Sequence, residues 1–100
     1  MITVKIAGPS QAQIIVDFIR RLAEYEKKLD KVTVTKKDIQ HYMFEHKLAE
    51  AAIAYWDQKE VGLAVFYPCF STFSARPGLY LEDLFVLPEY RNRHVGKALM

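Results

Sequence analysis

The stretch Leu79-Tyr-Leu-Glu-Asp-Leu-Phe-Val-Leu87 constrains this chain more than any other. Gly78 opens it, Pro88 ends it, and its apolar run is long enough for a strand covered on both faces. Two acids, Glu82 and Asp83, stand in its middle. Burying an unpaired carboxylate costs on the order of several kcal/mol, so an ordinary core strand avoids both. Adjacent strand residues point to opposite faces, which argues against a simple dyad in one site. Three readings follow: a structural Arg or Lys partner, a bulge that exposes the pair, or a cleft in which one acid takes a proton from an amine or attracts a cation.

The segment after this strand carries the charge imbalance. Net charge is +2 overall, with 11 Lys/Arg against 12 Asp/Glu through residue 90. Arg91, Arg93 and Lys97 then turn −1 into +2. Arg91-Asn-Arg-His-Val-Gly-Lys-Ala-Leu-Met100 reads as a loop passing into a helix, with Gly96 where backbone can approach a ligand closely. Unpaired N–H groups and the helix dipole at such a start suit phosphate or pyrophosphate. The plain alternative is a solvated basic helix start. Neither G-x-x-x-x-G-K-[ST] nor G-x-G-x-x-G is present.

Upstream, Ile2–Ala7 alternates as a short strand, and Gly8-Pro9 stops it. Ser10 is placed to cap a helix with Ile15, Phe18, Ile19, Leu22 and Tyr25 at helical spacing. Thr35 and Asp38 resemble a capping box for a second helix, whose inward stripe is Ile39, Tyr42, Met43 and His46. Ala51–Trp56 and Val61–Tyr67 read as a hairpin through Asp57-Gln-Lys-Glu60, although that turn has no glycine. Residues 68–77 read as a loop carrying two exposed-looking aromatics, Phe70 and Phe73, with packing under the loop expected ahead of a substrate mouth or a subunit contact. The order β-α-α-β-β-β-α describes one α/β (α+β) domain over residues 1–100.

Several classes drop out. No apolar run approaches the roughly 20 residues of a membrane span, and the N-terminus lacks secretory-signal features. A lone Cys69 fits a reducing cytoplasm and, with no base beside it, reads as incidental rather than nucleophilic. His41 and His46 lie five apart, off a common α-helical face, so no metal site is expected. Arg91 and Arg93 beside Tyr90 lack an accompanying aromatic RNA-binding strand, so no nucleic-acid partner is expected.

The loop from Arg91 resembles the acetyl-coenzyme A loop of the GNAT acetyltransferases, [QR]-x-x-G-x-[GA]. Arg91 and Gly96 match, as does the preceding Leu-Phe-Val-Leu-Pro-Glu-Tyr, while His94 replaces the first glycine. Tyr80-Leu-Glu-Asp-Leu-Phe-Val86, Leu22-Ala-Glu-Tyr-Glu26 and Val32-Thr-Val-Thr-Lys-Lys-Asp-Ile39 resemble the diamine (spermidine/spermine) N-acetyltransferase branch over the whole chain. The resemblance implies a GNAT-like acyl-CoA N-acyltransferase fold and transfer of acetyl from acetyl-CoA to a small primary amine, with no metal. It implies Glu82 as base or water-activating carboxylate, and Tyr25, Glu26, Glu82 and Asp83 as the amine site. Leu84, Phe85 and Val86 would present backbone to acetyl and pantetheine. Arg91, Asn92, Arg93, His94, Val95, Gly96 and Lys97 would hold the cofactor's phosphates.

That fold continues past its cofactor helix, so the chain is expected to stop within it. A final helix of some eight residues is far below the roughly 12–15 at which isolated helices become marginal, and the Leu79–Leu87 edge invites pairing. A homodimer, with elements exchanged between chains, is the expected assembly. A non-catalytic CoA-binding or self-associating module, or a plain interaction domain, are the competing readings.

Overall fold

Ile2–Ile6 (β1), Glu50–Trp56 (β2), Lys59–Ser71 (β3) and Arg76–Val86 (β4) form one sheet in that order, antiparallel throughout. The computed structural model describes residues 2–91 and 95–99. Ala12–Tyr25 (α1) and Lys36–Asp38 (α2) separate β1 from β2, and Val95–Leu99 (α3) follows β4. The element order is the one read from the sequence.

Alternation along the central strands sorts the sheet into two unlike faces. Leu63 and Val65 of β3 stand opposite Phe85 and Asp83 of β4, and the Phe18 ring of α1 meets Phe85 at 6.2 Å. Ile15, Phe18, Ile39, Met43 and Ile53 complete the buried layer on this side. The other face is built from small residues, with Ala54 opposite Gly62 and Ala52 opposite Ala64. There α3 lies almost on the backbone. A Cβ at Gly62 would come within 3.1 Å of Leu99 Cδ1, 3.2 Å of the Phe85 carbonyl and 3.3 Å of Val95 Cγ1. Glycine is what lets this helix pack so closely.

Local details differ from the sequence reading in informative ways. Strands β2 and β3 are joined by two residues, Asp57 and Gln58, with φ of 49° and 75°. This is the doubly left-handed geometry that matches strand twist, achieved without glycine. Thr35 and Asp38 do form the reciprocal cap, at 3.2 Å and 2.9 Å. Ser10 caps nothing: a 3-10 turn, Pro9–Gln11, begins after Gly8, whose N–H donates to Gln11 Oε1.

The supposed loop at 68–77 is mostly strand. Its pairing runs from Pro68 opposite Leu79 out to Ser71 opposite Arg76, and Phe70 and Phe73 are exposed rather than packed. No residue here has a buried face, so the hydrophobic alternation that marks a strand never develops. For the same reason Leu79–Leu87 is not covered on both faces. Leu79 is 69% exposed, whereas Phe85 and Leu87 are buried.

The second helix also departs from expectation. After α2 it continues as a π-helical segment, Ile39–Glu45, with the His46 N–H donating to the His41 carbonyl five residues back. Ile39 and Met43 point inward, while Tyr42 and His46 are turned out to solvent. His41 and His46 now share a side, which the five-residue spacing on an α-helix would not allow.

Candidate active site

Three pieces of chain meet at one end of the packed half of β4. The first is the end of α1. Lys27 adopts φ 59°, its N–H donates to the Glu24 carbonyl, and the Lys28 N–H donates to the Ala23 carbonyl. This is a left-handed Schellman closure, made by lysine in place of the usual glycine. It stops the helix so that Tyr25 and Glu26 stand at its final turn beside β4.

The second piece is a β-bulge. Val65 pairs with Asp83 and Phe66 with Leu81, leaving Glu82 as the extra residue of β4. The alternation that would have separated Glu82 from Asp83 is broken at that point. Glu82 is exposed and Asp83 is half-buried. Desolvation holds the Asp83 carboxyl above the usual carboxylate range, and the charges of Glu82 and then Glu26 push it further the same way. The negative charges of Glu82 and Glu26 thus both reach the Asp83 carboxyl. Tyr67 stacks on Tyr80 at 5.1 Å. The Tyr67 hydroxyl is held above its ordinary range, first by desolvation and then by Glu82, Tyr80 and Cys69. Of the readings open for the two acids, the bulge is present and exposes Glu82 but not Asp83, and the described residues pair neither acid with a cation.

The third piece is the chain entering α3. Arg91 Nε donates to the Val86 carbonyl at 2.9 Å. Its guanidinium lies 4.6 Å from the Tyr25 ring centre and 5.5 Å from that of Phe85. Cation–π contact and a charge-assisted bond thus fasten α1, β4 and the turn together. Between them opens a cleft of about 410 Å³, lined by Leu22, Tyr25, Leu84, Phe85, Val86, Arg91 and Gly96.

Tyr25, Leu84, Phe85, Val86, Arg91 and Gly96 are thus brought to one cleft, and Glu26, Glu82 and Asp83 to one charged cluster. Val95 is buried, its side chain packed toward Gly62, and Lys97 is exposed on α3. Asn92, Arg93 and His94 lie outside the described residues. Sequence reasoning did not single out Leu22 as cleft lining, which depends on how α1 packs on β4, or Tyr67 as a neighbour of Glu82, which depends on strand register.

The cleft walls are mostly hydrocarbon and aromatic, and among the described residues Arg91 is the one charged residue lining them. Gly96 also lines the cleft. A Cβ there would meet only Val86 Cγ2, at 4.0 Å. Unlike Gly62, Gly96 is not required by internal packing, and its missing side chain leaves the cleft side open.

Comparison with known proteins identifies the family and the fold. Residues 16–100 match the acetyltransferase (GNAT) family, and the chain belongs to that family. It is 32% identical over 95 residues to a thialysine N-epsilon-acetyltransferase of Bos taurus, covering 86% of this chain and 55% of that one. The corresponding enzyme of Caenorhabditis elegans is 29% identical over 91 residues, covering 91% and 56%. The chain thus spans little more than half the length of these curated relatives. Among solved structures, a ribosomal-protein-alanine N-acetyltransferase of Brucella melitensis biovar Abortus 2308 superposes with a TM-score of 0.76 at 16% identity, over 99% of this chain and 66% of that one. The expected GNAT-like fold is the fold found. Among the described residues, no helix is long and apolar enough to cross a membrane.

Proposed function

We propose that this chain carries the amine site and part of the acetyl-CoA site of an N-acetyltransferase acting on a small diamine-like primary amine. The observation that carries the proposal is the convergence of Glu26, Glu82 and Asp83 on a bulged strand beside the cleft. The similarity to thialysine N-epsilon-acetyltransferases supports the same substrate class.

An alkylamine has a pKa of about 10 and arrives protonated. Three carboxylates attract it and hold a second positive charge of a diamine, with Tyr25 beside them. Glu82, solvated at the bulge, accepts the ammonium proton directly or through a water. The freed nitrogen lone pair attacks the thioester carbonyl carbon. The C–N bond forms, the C–S bond breaks, and the thiolate departs with coenzyme A and takes up a proton. No covalent enzyme intermediate is required. Backbone of Leu84, Phe85 and Val86 lines the acyl arm, and Arg91, Asn92, Arg93, His94, Val95, Gly96 and Lys97 form the phosphate end. The exposed Leu79 and Leu81 on β4, the sheet's edge among the described residues, favour homodimer formation.

The test is an acetyl-CoA-dependent assay over paired diamines and monoamines of equal length, with calorimetric binding of acetyl-CoA alongside. Turnover with a higher kcat/KM for diamines is expected. Acetyl-CoA binding without turnover of any amine selects instead a non-catalytic CoA-binding module.

A further inference from the structure

The π-helical segment assembles a set of side chains remote in sequence from the cleft. Widening one turn brings residues five apart into register. The rings of His41 and His46 approach to 4.4 Å between centres, nearly perpendicular at 80°. Glu45 completes the group, with its Oε2 3.1 Å from His41 Nδ1. One ligand-type atom from each of His41, Glu45 and His46 lies within 4.8 Å of the other two, and all three residues are exposed.

We propose that His41, Glu45 and His46 form a surface binding site for a zinc-class divalent cation, separate from the acetyl-transfer machinery. The donor set selects the class. Two imidazoles and one carboxylate suit zinc and its transition-metal neighbours, whereas calcium and magnesium favour oxygen-only shells. Ligands held at about 2.0–2.1 Å around a tetrahedral ion stand closer together than 4.8 Å, so the site contracts on binding. The exposure of all three side chains leaves their rotamers free to make that adjustment. Glu45 serves either as the third ligand or as the carboxylate that orients the His41 ring, and both roles strengthen the site. A cation bridging positions five apart also clamps the π-helical turn, since it is that turn which puts the two rings together.

The test is calorimetric titration of the chelator-treated full chain with zinc chloride and, separately, with magnesium chloride. One saturable zinc site per chain and no magnesium uptake are expected. His41→Ala and His46→Ala should each weaken zinc at least about tenfold, since losing a ligand costs no less than losing an outer partner. His46→Gln, which keeps size and polarity, should weaken it similarly, and circular dichroism of each variant should match the parent. With copper(II) in place of zinc, electron paramagnetic resonance should show hyperfine coupling from two imidazole nitrogens. Absence of saturable zinc uptake, uptake unchanged in His46→Ala, or coupling from fewer than two nitrogens would overturn the proposal.

Discussion

The two halves of β4 on either side of Glu82 behave as different kinds of strand. From Asp83 to Val86 the strand is wedged between α1 and α3, and Phe85 is buried against Phe18. From Arg76 to Leu81 the same strand pairs with β3 but is exposed on both faces. The bulge sits at the boundary. Glu82, placed there, gains its position from the packed half and its exposure to solvent from the free half. The difference teaches that one strand can fix a side chain from the packed side of a bulge and leave it open to solvent from the other.

The comparison is broken most directly by truncation in each half. Phe85→Ala should destabilise by about 3–5 kcal/mol, whereas Leu81→Ala should stay within about 0.5 kcal/mol; equilibrium urea unfolding of both variants measures the gap. Similar losses in both would erase the proposed boundary. The two glycines sharpen it further. Gly62→Ala should cost about 1–3 kcal/mol by overpacking against Leu99, Val95 and the Phe85 carbonyl. Gly96→Ala should leave the melting temperature essentially unchanged while weakening acetyl-CoA binding, read by calorimetry.

A smaller effect concerns pH. Folding raises the proton affinity of Asp83, so between the ordinary carboxylate range and its raised value the native state binds more protons than the unfolded one. Stability from this group is therefore present at the acid end and is lost as pH rises through that interval. Asp83→Asn does not titrate, so its melting temperature relative to the parent should rise from acid to neutral pH. A flat or falling difference would mean that burial and the neighbouring carboxylates do not raise the Asp83 carboxyl.

Much of this was legible in the residues, for identifiable reasons. The amphipathic stripe of α1 and the Thr35–Asp38 cap follow from side-chain chemistry within one turn. The β2–β3 hairpin was visible from its flanking strands, although Asp57 and Gln58 reach left-handed geometry without glycine. The outer β3–β4 hairpin was hidden, because its strands bury no face and are held by pairing alone. The bulge at Glu82 and the widened turn at His41–His46 were hidden too. Each is a one-residue change of register, set by packing of neighbouring elements rather than by local preference. Glu82 and Asp83 stood out in the sequence as misplaced charge. How they share a site emerged only with the register.

The central claim is that the carboxylate at the bulge takes the proton of the attacking amine. It is tested most directly by steady-state acetyl transfer with Glu82→Gln in the intact enzyme, with acetyl-CoA affinity measured alongside. The account predicts a fall in kcat of about 10²–10⁴-fold with acetyl-CoA binding unchanged. Undiminished turnover in that variant would contradict it.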